Sequence, residues 1–211
     1  KSVLAVFGSL VPTKGTYDRK GKARIFAKGG NVKNFVYNYK YSLGSIPILE
    51  KNSKGLGSIN YITQNDAVVR SLPLIMVFNN KLFPTFGLEM IRVGEKKRSI
   101  ITNLNDNGIK NISIKPYEFK TDKNSLIWVK YNRSINNNFI SAEKVFDKNF
   151  DENFFKDKYV LIGASAKGLF DTVKIPTGET VPGVQVHANV IDNLLNNSFL
   201  KRNDGIFVFE L

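Results

Sequence analysis

Apolar positions along this chain follow two periods, and the changes between them mark its elements. Ser2-Val3-Leu4-Ala5-Val6-Phe7 opens as a strand, and a Gly- and Lys-rich excursion from Ser9 to Lys33 follows, with one short strand expected around Ala23-Ala27. Phe35 to Tyr41 is dense in β-favouring residues. Ser58-Ile59-Asn60-Tyr61-Ile62 and Val68 to Phe78 read as strands on either side of a turn at Gln64-Asn65-Asp66-Ala67, so the pair predicts a hairpin. Asn79-Asn80 turns the chain again. The period then changes: Phe86, Met90 and Val93 recur at helical spacing, with Pro84 expected at the first helical position and Gly94 at the end.

From Arg98 to Asn111 Asn and Lys dominate, and strand and loop are equally compatible with the pattern. Leu126 to Tyr131 predicts a strand, and Ser141 to Phe146 a short helix capped by Ser141. Tyr159-Val160-Leu161-Ile162-Gly163 is a continuous apolar run, which suits a strand buried on both faces. A last helix is expected after Pro182-Gly183, with Val184, His187, Ala188, Ile191 and Leu195 on one stripe and Asn196-Asn197 as its end. Together these predict an α/β fold: a mixed, partly parallel sheet flanked by helices, in a single domain with added β-hairpins.

Composition narrows the function classes. At 211 residues, 42% hydrophobic and 23% charged, the chain is of ordinary globular make-up, and roughly 70% of its unfolded surface can be buried. The formal net charge of +13 raises the question of a nucleic-acid or anionic-membrane partner. The lysines are scattered singly or in short groups such as Lys96-Lys97-Arg98, and Asn, Ile, Phe and Tyr are abundant beside them, as AT-rich codon usage produces. No nucleic-acid partner is therefore expected, while attraction to an anionic bilayer stays open. With no cysteine there is neither a disulfide framework nor a thiolate metal site. The strand at Lys1 and the apolar turn of Gly205 to Leu211 read as the ends of a piece cut from a longer chain; no run here reaches the roughly 20 apolar residues of a spanning helix.

The densest candidate chemistry lies between Tyr159 and Leu195, where a strand runs into Gly163-Ala164-Ser165-Ala166-Lys167-Gly168, the position at which open α/β sheets bind ligands. A phosphate loop is disfavoured because Leu169 stands where its lysine belongs. A serine hydrolase would use Ser165, Asp171 and His187 in that order, but Lys167 occupies the second glycine of the nucleophile elbow. The remaining readings are a non-catalytic pocket built on Ser165, Asp171 and His187, or polar groups that only satisfy loop amides and the core. In the hairpin, Asp66 and Arg70 form a second candidate pair: Asp66 as an Asx-turn acceptor, Arg70 as an anion ligand or as partner to Asp66. No metal site is expected from one histidine and dispersed carboxylates, and no cofactor.

Two blocks of the chain resemble the type-two CHASE domain, a sensory module associated with cyclases and histidine kinases. In the first, Gly57, Asn60, Asp66, Val69, Arg70, Pro73, Pro84, Leu88 and Glu89 fit in order. The second runs from Lys158-Tyr159-Val160-Leu161-Ile162-Gly163 through Asp171 and Pro176 to Pro182-Gly183-Val184 and His187-Ala188-Asn189. With the Tyr131 strand and Ser141-Ala142 helix between them, the blocks cover Gly55 to Asn196; Ser9 to Ile46 finds no counterpart, and the N-terminal α/β segment of the family is missing. The resemblance implies an extracytoplasmic sensor (residues 1–196) and a juxtamembrane segment (197–211) leading to membrane helices outside this chain. It would sit on the periplasmic face of a bacterial inner membrane, respond to an unidentified small molecule or protein, possess no catalysis of its own, and regulate a cytoplasmic cyclase or kinase. A homodimer is compatible with that role.

Overall fold

Residues 1–132, 135, 138–165 and 171–200 are described by a computed structural model of the chain. The first 60 residues contain β1 (Val3–Ser9), β2 (Arg24–Lys28), β3 (Asn38–Tyr39), β4 (Tyr41–Gly44), α1 (Pro47–Asn52) and β5 (Gly55–Ser58). Next come β6 (Ile62–Thr63), β7 (Val69–Pro73), β8 (Ile75–Phe78), β9 (Lys81–Pro84) and α2 (Phe86–Gly94). A meander follows of β10 (Ser99–Asn105), β11 (Gly108–Ile114) and β12 (Tyr117–Lys120), then β13 (Leu126–Trp128) and α3 (Ala142–Val145). The chain closes with the hairpin β14 (Thr172–Lys174) and β15 (Thr180–Pro182), running directly into α4 (Gly183–Asn196).

The α/β fold expected from the sequence is the one observed, with several mixed sheets in place of one. β1 lies between antiparallel β4 and parallel β5. A parallel bridge from Ser58 to Thr85 carries the pairing on toward β9, which pairs with β8, and β8 with parallel β3. Lys40 alone separates β3 from β4, so the chain itself joins the two edges of this arrangement. Its interior is filled by Val6, Leu56, Met76, Phe78 and Phe83. Phe78 and Tyr39 pack directly on Gly8, where a Cβ would collide with their rings. Asn79 and Asn80 turn β8 into β9 with φ of 45° and 60°, the left-handed pair that a two-residue hairpin needs and that asparagine tolerates best.

The second and larger core packs α2 and α4 against β7, β13 and the meander, with Leu72, Leu88, Ile91, Ile100, Ile112, Phe119, Val186 and Val190 at its centre. Helices α2 and α4 approach closely at Gly87, where a Cβ would press on Val190 and Ile191.

Several elements depart from expectation for identifiable reasons. Ser58 to Ile62 is interrupted because Asn60 turns inward and clamps Gly8, accepting from its N–H (2.7 Å) and donating to its carbonyl (2.9 Å). Val68 to Phe78 is two strands: Leu74 donates to Ser125 and accepts from Thr85, so the chain changes sheets there. Pro84 ends β9 instead of starting α2, because pairing with Ile75 holds it extended and Thr85 takes the N-cap position. Strand β13 ends at Trp128; Val129 still donates to the Arg70 carbonyl, and from Lys130 on the backbone is engaged by α4. Residues 47–52 form a helix that the apolar pattern did not reveal.

The largest departure is Tyr159 to Gly163. It is neither a strand nor buried on both faces: it has no ladder partner among the described residues, and Ile162 is 97% exposed.

Candidate functional site

The candidate site is built around α4. Its 14 residues are buried on most sides, including the polar Gln185, His187, Asn189 and Asn193. The two asparagines, one turn apart, do the work of a missing strand. Asn193 accepts from the Lys130 N–H (2.7 Å) and donates to its carbonyl (3.0 Å), while Asn189 accepts from the Asn132 N–H (2.8 Å). Buried backbone groups must find partners, and here a helix supplies them to an extended segment. At its far end α4 stops at Asn197, whose φ of 49° is the left-handed cap that asparagine adopts readily. Leu200 then donates to the Trp128 carbonyl.

The start of α4 has no side-chain cap of its own; Pro182 occupies that position. Asp171 comes there instead. The Gly183 N–H donates to the Asp171 carbonyl (2.9 Å), and the Asp171 carboxylate lies so close that a Cβ at position 183 would collide with it. A negative charge there complements the positive end of the helix dipole. Tyr61 belongs to the same neighbourhood: burial raises its phenol above the usual range, and the Asp171 charge adds to the rise. Tyr131 is likewise raised, mainly by burial and then by Tyr61, and its hydroxyl donates to the Val69 carbonyl (2.8 Å).

Gly163 also meets this turn, since a Cβ there would strike the Val184 side chain. At the other end of the same run, Tyr159 covers Gly94 at the end of α2. The 159–163 run thus bridges the two helices without belonging to a sheet. Ser165 is exposed in the loop that follows. Residues 166–170, including Lys167, Gly168 and Leu169 of the phosphate-loop reading, lie outside the described residues.

His187 sits one turn into α4 and is only 5% exposed. Its ring stands edge-on to Phe86, with centroids 5.7 Å apart. Burial pushes its pKa down to about 4, against the opposing effect of a hydrogen bond with the Ile59 backbone, so the imidazole is neutral at pH 7. Nδ1 has no partner among the described residues. That atom is an unsatisfied acceptor or donor in the core, and such groups are rare without a reason.

Of the residues singled out from the sequence, Asp171 and His187 are therefore brought to the same end of the same helix, with Gly163 beside them. No hydrogen bond joins Ser165, Asp171 and His187 to one another. The relay that hydrolysis requires, hydroxyl to imidazole to carboxylate, is not assembled in this conformation. Asp66 and Arg70 form their own unit in the β6–β7 turn. Arg70 donates from Nη1 to Oδ1 (3.0 Å) and from Nη2 to Oδ2 (2.6 Å), and the Val68 N–H also donates to Oδ1. The Asx turn and the pairing of Arg70 with Asp66 thus occur together, and the Arg70 pairing holds the Asp66 pKa down at about 2. A parallel bridge between Val68 and Lys174 connects this hairpin to β14.

Beside the first turn of α4 the surface is concave, lined by Phe139, Glu179, Thr180, Val181, Pro182 and Gln185. These residues were not identified from the sequence, nor were Tyr61, Tyr131, Asn189 and Asn193 as functional side chains. Asparagines at i and i+4 on the helix are the one signal that was available. Among the described residues no group of three or more His, Asp or Glu is placed to hold a metal ion, and no helix is long and apolar enough to cross a membrane.

Comparison with known proteins adds one finding. The family model of the CHASE2 domain matches residues 10–210, including the 10–46 stretch for which the sequence motifs had no counterpart. No curated protein and no solved structure matches. With the match spanning nearly the whole chain, this protein belongs to the CHASE2 domain family, the extracytoplasmic sensory domains of signalling proteins, which are sensory and not catalytic.

Proposed function

We propose that the signal is read at the first turn of α4, and that α4 transmits it to the cytoplasmic output of a transmembrane receptor, an adenylate or guanylate cyclase. Residues 1–196 are the sensor in this reading. Residues 197–211 are the juxtamembrane segment leading to membrane helices, and the domain faces the periplasm from the inner membrane. The ligand is a small molecule or a protein taken up between the Gly163–Ser165 loop, Asp171 and the start of α4.

The observation that carries the reading is the double attachment of α4. Its first turn takes the Asp171 carboxylate and the Gly163 backbone, while its last two turns hold residues 130–132 through Asn189 and Asn193. A ligand that displaced Asp171, or added a partner for His187 Nδ1, would favour one position of the helix. It could do so only by its difference in affinity between the two positions. The same helix leads to Leu200, so the shift has a path toward the C-terminal segment.

A thermal-shift screen of the domain against anions, divalent cations and small periplasmic metabolites tests this. A ligand at 100 times its dissociation constant adds about 2.7 kcal/mol of stability. The expected result is a hit abolished by Asp171→Asn and by His187→Gln, with both variants folded. A hit that survives both substitutions removes the site from α4.

A further inference from the structure

The charge of this protein is unevenly distributed. Residues 1–60 carry eleven Lys and Arg against two carboxylates, Asp18 and Glu50, while residues 61–211 carry 20 against 16. Both early carboxylates are already engaged. Glu50 is turned inward onto Arg19 (2.8 Å) and is itself buried. Asp18 is paired with Lys81. The lysines of this region, among them Lys14, Lys20, Lys22, Lys40 and Lys51, stay exposed and face no free acid on their own segment.

Exposed apolar side chains also occur in this stretch, as they do from Phe139 onward. Phe7, Leu10, Val11, Tyr17, Phe26, Ile46, Ile48 and Leu49 all stand in solvent, and none of the comparably exposed apolar residues falls between 61 and 138. Several of them lie singly on adjoining elements. Phe7 on β1 is opposite Leu43 on β4, the Gly15 backbone lies against Leu43, and Tyr17 donates to Ser45 just before Ile46. Helix α1 follows with Ile48 and Leu49 outward, each more than half exposed. Lys22 reaches the Lys51 carbonyl at its rim.

We propose that this outer face of β1, β4 and α1 is a docking surface for an anionic lipid bilayer. Isolated apolar side chains within a field of flexible lysines suit a fluid, negatively charged interface, into which the side chains dip while the ammonium groups meet headgroups. The proposal is independent of the site at α4.

The test is co-sedimentation of the 211-residue chain with vesicles of phosphatidylcholine, alone and with about 30% phosphatidylglycerol, and with soluble heparin as a second polyanion. Binding to the anionic vesicles is expected, at least about tenfold tighter than to the neutral ones. The triple variant Ile46→Ser/Ile48→Ser/Leu49→Ser is expected to weaken it about tenfold, and Lys20→Glu/Lys22→Glu/Lys51→Glu to abolish it. Wild-type melting temperatures for both variants establish that they fold. Absence of vesicle binding overturns the proposal. So does binding that heparin matches and the apolar triple variant leaves unchanged, because charge alone would then account for it.

Discussion

Helix α2 and the β6–β7 hairpin each pair a carboxylate with an arginine three or four residues away, and the two pairs have little else in common. In α2, Glu89 is fully buried and Arg92 nearly so, at 2.6 Å. Arg92 also donates to the carbonyls of Lys97 and Lys54, and Glu89 lies against Gly55 of β5. That pair ties the helix to the start of a strand and to the loop leading into β10. In the hairpin, Asp66 and Arg70 make a bidentate contact of equal length, but on the surface, with both side chains partly open to solvent. Burial pushes the Glu89 pKa up even beside Arg92, whereas Arg70 pulls the exposed Asp66 well below the ordinary range. Identical chemistry is thus an interior fastening in one region and a turn ornament in the other. Desolvation, not geometry, makes the difference.

The sharpest way to break that contrast is to remove one arginine from each pair. Arg92→Met leaves a buried carboxylate without its partner and is expected to cost about 3–5 kcal/mol in chemical denaturation at pH 7. The cost has a pH signature. A carboxylate whose folded pKa lies above its unfolded value favours folding at low pH and opposes it as pH rises. The deficit of Arg92→Met is therefore expected to shrink as pH falls toward the carboxylate range, and Glu89→Leu/Arg92→Met to recover most of the loss. Equal losses at pH 5 and pH 8 would show that Glu89 is not the origin of the cost.

His187 extends the comparison to a buried cation that does not form. Its folded pKa of about 4 lies below the unfolded value of 6.5. The unfolded chain therefore binds more protons between those values, and stability falls as pH drops from about 6.5 to 4. The contribution fully present above pH 6.5 and lost over that window is about 3 kcal/mol. His187→Gln, followed by thermal denaturation from pH 4 to 7, is expected to flatten that dependence. An unchanged slope would place the proton uptake elsewhere.

Smaller effects are expected from Asn193→Leu, which leaves the Lys130 N–H and carbonyl unpartnered at the helix. A loss of about 1–3 kcal/mol by urea denaturation is expected. If stability is unchanged, water replaces the side chain and the helix is not the clamp described above. The smallest effect belongs to the hairpin. Arg70→Ala is expected to leave the denaturation midpoint almost where it is, and any difference to vanish in high salt. A loss comparable to that of Arg92→Met would erase the distinction between the two regions.

Much of the fold was legible from local chemistry. Asn79-Asn80 announced a turn, Asn196-Asn197 a helix end, and the spacing of Phe86, Met90 and Val93 a helix, because each depends on backbone preference or periodicity within a few residues. The motif order from Gly57 to Asn189 was sufficient to suggest the family. The placement of Asp171 at the start of α4 was partly legible too: Pro182-Gly183 marked the helix, but nothing in the sequence said which carboxylate would fill the space that Gly183 leaves open.

The remainder was decided by packing partners distant in the chain. Tyr159 to Gly163 reads as a buried strand by composition, yet a strand needs a ladder, and here the run lies across Gly94 and Val184 with Ile162 in solvent. Nothing local tells that Asn60 and Asn193 hold Gly8 and Lys130, which lie 52 and 63 residues away in the chain. Glu89 and Asp66 could not be told apart by sequence, since each has an arginine within one turn or one hairpin. The sequence by itself determined the elements that rest on local preference, such as the turn at Asn79-Asn80 and the helices α2 and α4, because those choices are made within a few residues. Tertiary structure alone decided which polar groups lose water, and with that which of them fasten the fold and which remain at the surface.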